Sequence, residues 1–260
     1  MREVMVGIKP KTKALIVVLA VALVATLAVK LFSPRSAKDA YFVFDSQKLD
    51  DVPANVVVVR PTQYPDSFLK GVTYGNNSAS RVLGRDATFV QLVSAAYGFR
   101  PSRIVLPPDA PKGNFDFLAT TATNTDLQLQ AAIKKEFGYT ARRETRDVPV
   151  LLLKIETPDS PALQISPDSE KPSVGFTNGI VYFVHQKPVA LTWPAERYLS
   201  VPVMDRTGLT NFYDFSFHWD WRMQAGRMDE TVTKRMLARW GLGLEPGTAP
   251  VEMLIVEKTN

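Results

Sequence analysis

The chain has 260 residues, of which 45% are hydrophobic and 22% charged, with no cysteine, two histidines and a formal net charge of +5. That composition is globular, neither disordered nor fibrous. It excludes a disulfide framework, a thiolate nucleophile and any Cys-ligated zinc or iron–sulfur centre, and His185 and His218 alone leave little room for a multi-His metal site.

The positive charge is local. Residues 1–40 hold seven basic groups (Arg2, Lys9, Lys11, Lys13, Lys30, Arg35, Lys38) against Glu3 and Asp39, whereas the rest of the chain carries 24 basic and 24 acidic residues. Nucleic-acid binding draws its affinity from an excess of Lys and Arg near phosphates. A neutral body lacks that excess overall, so no nucleic-acid partner is expected.

Residues 14–29 (ALIVVLAVALVATLAV) are uncharged and apolar, and Leu31 and Phe32 extend the run past Lys30. A spanning helix needs about 20 residues, so the stretch 14–32 is near the lower limit. Lys30 can snorkel its ammonium to the headgroups. Lys9, Lys11 and Lys13 before the run fit a cytoplasmic N-terminus. The competing reading is a cleaved signal peptide, whose core is usually about 7–15 residues and ends in a small-x-small site. The run here is longer and no convincing site follows it. The expectation is a basic cytoplasmic tail (1–13), an uncleaved single-pass anchor in the lipid bilayer (14–32), a linker (33–54) and a body across the inner membrane, which in a bacterium is the periplasm.

Within the body, residues 126–155 and 229–258 align without gaps at a separation of 103 residues. Leu129, Ile133 and Phe137 match Val232, Met236 and Trp240 at helical spacing. Gly138 matches Gly241 where a helix end favours positive φ. Val148, Val150 and Leu151 to Leu153 match Val251, Met253 and Leu254 to Val256 as strand-like apolar runs. Upstream, Asn114-Phe115-Asp116-Phe117 resembles residues 211–215 (NFYDF), and Tyr213, Phe215, Phe217, Trp219 and Trp221 alternate with polar residues as the aromatic face of a half-buried strand. Each unit reads as strand–helix–strand–strand. Two such units form an α+β fold of antiparallel sheets with helices on one face. The first unit is assigned to residues 55–156 and the second to 177–260. Between them residues 157–176 form a Pro-rich linker containing Pro158, Pro161, Pro167 and Pro172.

Other signals fill in the units. Residues 55–60 (NVVVVR) form an early strand. Thr88 and Gln91 make a capping box before a helix that reaches about Tyr97 and stops at Gly98. Asn178-Gly179 is a turn leading into a strand at residues 180–184.

Residues 203–215 (VMDRTGLTNFYDF), 240–245 (WGLGLE) and 251–257 (VEMLIVE), with 92–98 (LVSAAYG), 114–117 (NFDF) and Phe137-Gly138-Tyr139 ahead of them, resemble an uncharacterised bacterial family known only as a domain of unknown function. That family is expanded in acidobacteria and other soil bacteria and also occurs fused to BlaR-type membrane sensor peptidases. The resemblance covers roughly residues 85–258 and implies an N-terminal signal or anchor, but no activity and no catalytic residues.

No nucleotide-binding, serine-hydrolase, zinc-protease or EF-hand motif is present. Asp205, Thr207 and Gly208 lie between two strands, where Asp and Thr can bind turn amides and Gly supplies positive φ. A ligand-binding role for them is the alternative. His218 is four residues from Asp214, about 13 Å along a strand, and within about 7 Å of Asp220. It reads as a solvated strand histidine rather than a base, and His185 as a solvent-facing residue at a strand end. Arg142, Arg143, Glu144 and Arg146 read as the wet face or guarded edge of a strand. Trp219 and Trp221 read as core aromatics, or alternatively a recognition platform. The expectation is a non-catalytic protein without cofactor or metal, an accessory or scaffold subunit that binds an integral membrane or periplasmic protein. A sensory or small-ligand module is the alternative, and an Asp/His hydrolase ranks last. Asp205, Thr207, Asp214, Trp219 and Trp221 are the candidate ligand or interface residues.

Overall fold

A computed structural model describes residues 40–65, 69–76, 80–121, 124–218 and 230–259. The expected tail and anchor (1–13 and 14–32) lie outside the described residues, as do Trp219 and Trp221. Among the described residues, no helix is long and apolar enough to cross a membrane. Phe44–Asn260 form one compact unit.

Part of the expected linker 33–54 is helical. Asp45 caps α1 (Ser46–Asp50) by accepting the N–H groups of Gln47 at 3.0 Å and Lys48 at 3.3 Å, filling donors that a helix start leaves unpaired. There follow β1 (Val57–Pro61), β2 (Gly71–Tyr74), β3 (Arg81–Thr88), α2 (Phe89–Tyr97), β4 (Ile104–Val105), β5 (Asn114–Thr120), α3 (Thr125–Phe137) and β6 (Tyr139–Ile155). The second half continues with β7 (Ser173–Thr177), β8 (Ile180–Gln186), α4 (Thr192–Leu199), β9 (Val203–Asp205), β10 (Tyr213–His218), α5 (Glu230–Ala238) and β11 (Leu242–Lys258). The class is α+β. Three sheets run β1-β5-β3-β2, β10-β8-β7 and β4-β11-β6-β9. All pairings are antiparallel except β4 with β11 and β9 with β6, which are parallel.

Several local expectations meet the structure directly. Helix α2 starts at the Thr88 box, where Gln91 Oε1 accepts the Thr88 N–H at 2.8 Å, and ends at Gly98 with φ 68°. Asn178 and Gly179 both have positive φ, 47° and 75°, as a two-residue type I′ hairpin turn requires. β10 alternates buried and exposed residues strictly.

Three expectations are corrected. The unit is not strand–helix–strand–strand, because β6 and β11 are each one unbroken strand of 17 residues. Each pairs with the other along its full length, so the charged stretch at Arg142 and the apolar stretch at Val150 belong to one ladder. Asp147 faces Pro250 in that ladder, and these two residues are also equivalent at the 103-residue separation, so the similar segments pair about their own midpoint. Second, β7 begins inside the expected linker 157–176. Third, Val232 is exposed while Thr233 and Leu237 are buried, so the inward stripe of α5 is one residue out of phase with Leu129 and Ile133 of α3. The helix ends explain the slip. α3 closes with Gly138 N–H on the Lys134 carbonyl, four residues back, whereas α5 closes on three-residue spacings from Trp240 to Leu237 and from Gly241 to Ala238. A tighter last turn uses fewer residues per rotation.

Three apolar clusters stand out among the described residues. Phe89, Leu92, Phe117, Leu129 and Ile133 gather with Leu254 and Val256. Phe183, Tyr198, Phe215, Leu237 and Trp240 gather with Leu153 and Leu242. Val150, Ala249, Val251, Met253 and Ile255 make a third cluster on the alternate face of the β6–β11 ribbon. In the first cluster Gly84 stands opposite Phe117, and an added Cβ there would lie 2.0 Å from the ring. Phe117 is fully buried and cannot swing away. Gly84→Ala should therefore cost about 2–3 kcal/mol in urea unfolding.

Candidate functional site

The polar residues singled out above gather at two β-bulges and one turn. In the pairing of β3 with β5 the register shifts between Gly84 and Ala87, which sets Arg85 and Asp86 opposite Asp116. Asp86 takes φ 49°, a left-handed conformation for a non-glycine residue. Its N–H points at Asp116 Oδ1, at 3.1 Å. Thr62 Oγ1 donates to the same oxygen at 2.8 Å, and the Gln63 N–H donates to Oδ2 at 2.8 Å. Arg60 lies 3.7 Å from Oδ2. Asn114 Nδ2 donates to Asp86 Oδ1 at 2.8 Å, and the Arg85 guanidinium sits 3.9 Å over the Tyr64 ring. Asp116, 0% exposed, thus ties β1, β3 and β5 together.

A corresponding arrangement occurs between β8 and β10. The shift lies between Tyr213 and Phe215, and His185 takes φ 51° with its N–H donated to Asp214 Oδ1 at 2.8 Å. The sequence similarity between Asp116 and Asp214 therefore has a backbone cause: each accepts the amide of a left-handed bulge residue. The surroundings differ. Asp214 is exposed, and among the described residues no contact of Asp214 or His185 stands in for the half-buried Asn114 and Arg60 of the first node. His185 does not face solvent as expected. It is 9% exposed and stacked on Phe212 at 4.2 Å between centroids and 9° between planes. Its Nδ1 is 3.3 Å from Ser166 Oγ, and Lys187 Nζ is 5.5 Å from the Phe212 centroid. Strand alternation already points the ring inward, since His185 is in phase with the buried Val181 and Phe183 of β8.

Asp205 ends β9, and its Oδ1 accepts the Thr207 N–H at 2.9 Å and Thr207 Oγ1 at 2.7 Å. Thr207 Oγ1 accepts the Leu209 N–H at 3.2 Å, and Gly208 has φ 70°. This is a self-contained turn of the kind short polar side chains build. Among the described residues, no hydrogen bond joins Asp205 or Thr207 to Asp214, so the three candidates do not form one site. His218 is exposed on β10.

Glu196 is the group that sequence reasoning missed. It lies on α4 and its side chain is 1% exposed. Oε1 accepts from Arg100 at 2.7 Å, from the Val203 N–H at 3.1 Å and from Arg103 Nη2, while Oε2 accepts from Ser102 at 2.7 Å and Arg103 Nε at 3.2 Å. Burial pushes this carboxyl up, but the hydrogen bonds from Arg103 and Ser102, the Arg100 charge and the Val203 amide outweigh it and leave the pKa below its ordinary value. The nearest sequence signal was an acidic residue on the inward side of a short amphipathic helix.

On the β6–β11 ribbon, Glu144 pairs with Arg146 and Arg142, and Arg142 and Arg143 reach Glu257 and Glu252 of the neighbouring strand. Hydrogen bonds from Arg146 and Arg142 hold the Glu144 carboxyl at about 2. Strand alternation sets Arg142, Glu144, Arg146 and Glu257 on the face of Val251, Met253 and Ile255, and sets Arg143 with Glu252 on the other. Glu144 and Arg146 are half-buried, and Arg142 and Arg143 are exposed. Among the described residues, no group of three or more His, Asp or Glu side chains is placed to hold a metal ion.

No curated protein matches the chain. No solved structure matches it. A family model does match, over residues 90–259, with the description "Protein of unknown function (DUF3738)". That span takes in α2 through β11, including both bulge aspartates, the Asp205 turn and Glu196. With nearly two thirds of its length matched, the chain belongs to the DUF3738 family.

Proposed function

We propose that this chain is a membrane-anchored, non-catalytic interaction protein. Residues 14–32 serve as its single-pass inner-membrane anchor, with the N-terminus cytoplasmic. The body works in the periplasm as an accessory or scaffold subunit of a membrane protein assembly. One observation carries the non-catalytic part: the carboxylates at Asp116, Asp205 and Glu196 are occupied by hydrogen bonds that hold strands, a turn and a helix in place. A carboxylate already saturated by backbone amides and guanidiniums is a poor general base, because abstracting a proton would break those bonds. The placement rests on the apolar run and on the resemblance to bacterial chains fused to BlaR-type sensor peptidases. We also read the two halves as an internal duplication, on the support of their matched element order and matched bulges.

Two measurements test the reading. Alkaline extraction should leave the full-length chain in the membrane fraction, and external protease should reach the body in spheroplasts but not in inverted vesicles. Crosslinking in intact membranes should recover one recurrent protein partner. Release by alkali, or a body that never crosslinks to another protein, would defeat it.

A second reading, a small-ligand module, has one observation in its favour. At the second bulge a buried His185 is stacked on Phe212 with Lys187 alongside, where the first bulge has Asp86 and Asn114. A shift in melting temperature with soluble cell-wall fragments, abolished by His185→Gln, would favour it.

A further inference from the structure

An exposed sheet edge offers unpaired N–H and C=O groups, and natural proteins blunt such edges with charges, prolines, short strands or a covering segment. Most edges of the described structure carry one of these devices. β1 holds Arg60 and Pro61. α1 packs against β2. β4 and β9 are two and three residues long. β10 carries Asp214 and His218, and the Ser166 N–H donates to the Phe212 carbonyl at its start.

Among the described residues, β7 has none of them. It reads Ser-Val-Gly-Phe-Thr, and the stretch from Pro172 to Ile180 contains no charge. β8 is its sheet neighbour on one side, and the other side is the sheet's end. Val174 and Phe176 are 57% and 54% exposed, although they stand opposite the buried Phe183 and Val181 on the core-facing side of the sheet. In a two-residue hairpin, the residues flanking the turn form a hydrogen-bonded pair and the pattern alternates from there. Thr177, Gly175 and Ser173 therefore bond to β8, and Val174 and Phe176 direct their backbone groups outward.

We infer that β7 is a self-association edge, on which a second copy of this chain lays its own β7 antiparallel about a two-fold axis at Gly175. The strand is self-complementary in that register. Val174 faces the other copy's Phe176, and Phe176 faces its Val174, so all four outward backbone groups of each strand are paired and both apolar side chains are covered. Ser173 faces Thr177. The ladder ends at both sides, where Pro172, which lacks an N–H, meets the turn residue Asn178. At the axis the strands need no side chain of their own: an added Cβ on Gly175 would lie 2.1 Å from Tyr182 Oη, so the tyrosine already occupies that space on the outer face. With no charge in the strand, a foreign sequence has nothing to recognise beyond two apolar residues, whereas a second copy matches every position. The inference does not rest on the functional reading above.

The test uses the full-length chain in mild detergent. Sedimentation should show the protein mass doubling as concentration rises, while Phe176→Lys stays monomeric over the same range with an unchanged circular dichroism spectrum. Because the chain has no cysteine, Val174→Cys and Phe176→Cys chains give clean probes. Mixed and oxidised, they should crosslink severalfold more than either alone, because residues 174 and 176 face each other directly while like positions lie about 7–8 Å apart. A monomer at every concentration, or a dimer untouched by Phe176→Lys, overturns the inference. So does a monomer that binds an unrelated extended peptide at β7, which would assign the edge to a partner strand.

Discussion

Glu196→Ala should lower the stability of the body by about 3 kcal/mol, the low end for breaking a buried ion pair because Arg100 and Arg103 keep some water contact. For a domain of this size that is a fall of about 6–12 °C in melting temperature. The reason is what the carboxylate leaves behind. Arg100, Ser102 and Arg103 come from the segment after α2, while Glu196 and the Val203 amide come from the second half. One side chain joins two halves that otherwise meet mainly through the β6–β11 ribbon. Removing it takes the carboxylate from two guanidiniums, a hydroxyl and a buried amide, and leaves Arg100 with Thr192 Oγ1 at 3.1 Å and Arg103 with the Val203 carbonyl at 3.5 Å. Glu196→Gln keeps the shape but turns an N–H₂ toward donors, and it should fall between the two. The pH dependence gives a second readout. Because the folded-state pKa is below the ordinary 4.5, the stabilisation is complete above that value and is lost as the pH falls through the lower folded value. Wild type should therefore lose more stability than Glu196→Ala on acidification below pH 4.5. Parallel acid curves for the two proteins would refute the clamp.

Much of the architecture was legible because it is periodic. The α2 box and its Gly98 stop, the Asn178-Gly179 hairpin and the alternating β10 each follow from a local rule that tertiary structure did not override. The 103-residue similarity also located the β6–β11 ribbon, though not that each is a single strand. Pairing supplied that, because a 17-residue strand is stable only against an equally long neighbour. The slip in α5 came from a helix end whose hydrogen-bond spacing changes the phase, which no apolar pattern encodes. The polar sites were the least readable. Asp116 and Asp214 were visible as a recurrence, but the bulges they fasten depend on left-handed backbone at Asp86 and His185, residues that carry no glycine signal. Glu196 met partners more than ninety positions earlier, a distance at which sequence spacing says nothing about contact.

The two bulge aspartates allow one substitution to be compared in two settings. Asp116→Ala should cost about 2–4 kcal/mol, since it leaves the Gln63 and Asp86 amides and the Thr62 hydroxyl without their acceptor, and the Asp86 amide is buried. Asp214→Ala should cost about 1 kcal/mol or less, because Asp214 accepts a single amide, from His185, and water can replace it at an exposed position. Asparagine sharpens the contrast. At position 214 one oxygen is enough, so Asp214→Asn should be nearly neutral. At position 116 both oxygens are engaged, and an amide nitrogen facing the Gln63 N–H or the Asp86 N–H would set donor against donor, so Asp116→Asn should lose most of what alanine loses. Urea unfolding of the four variants decides it, with midpoints shifting at constant slope if only stability has changed. Equal losses at the two positions would mean that the bulge amide, and not the buried network around Asp116, sets the energy, and that the first node is no more built than the second.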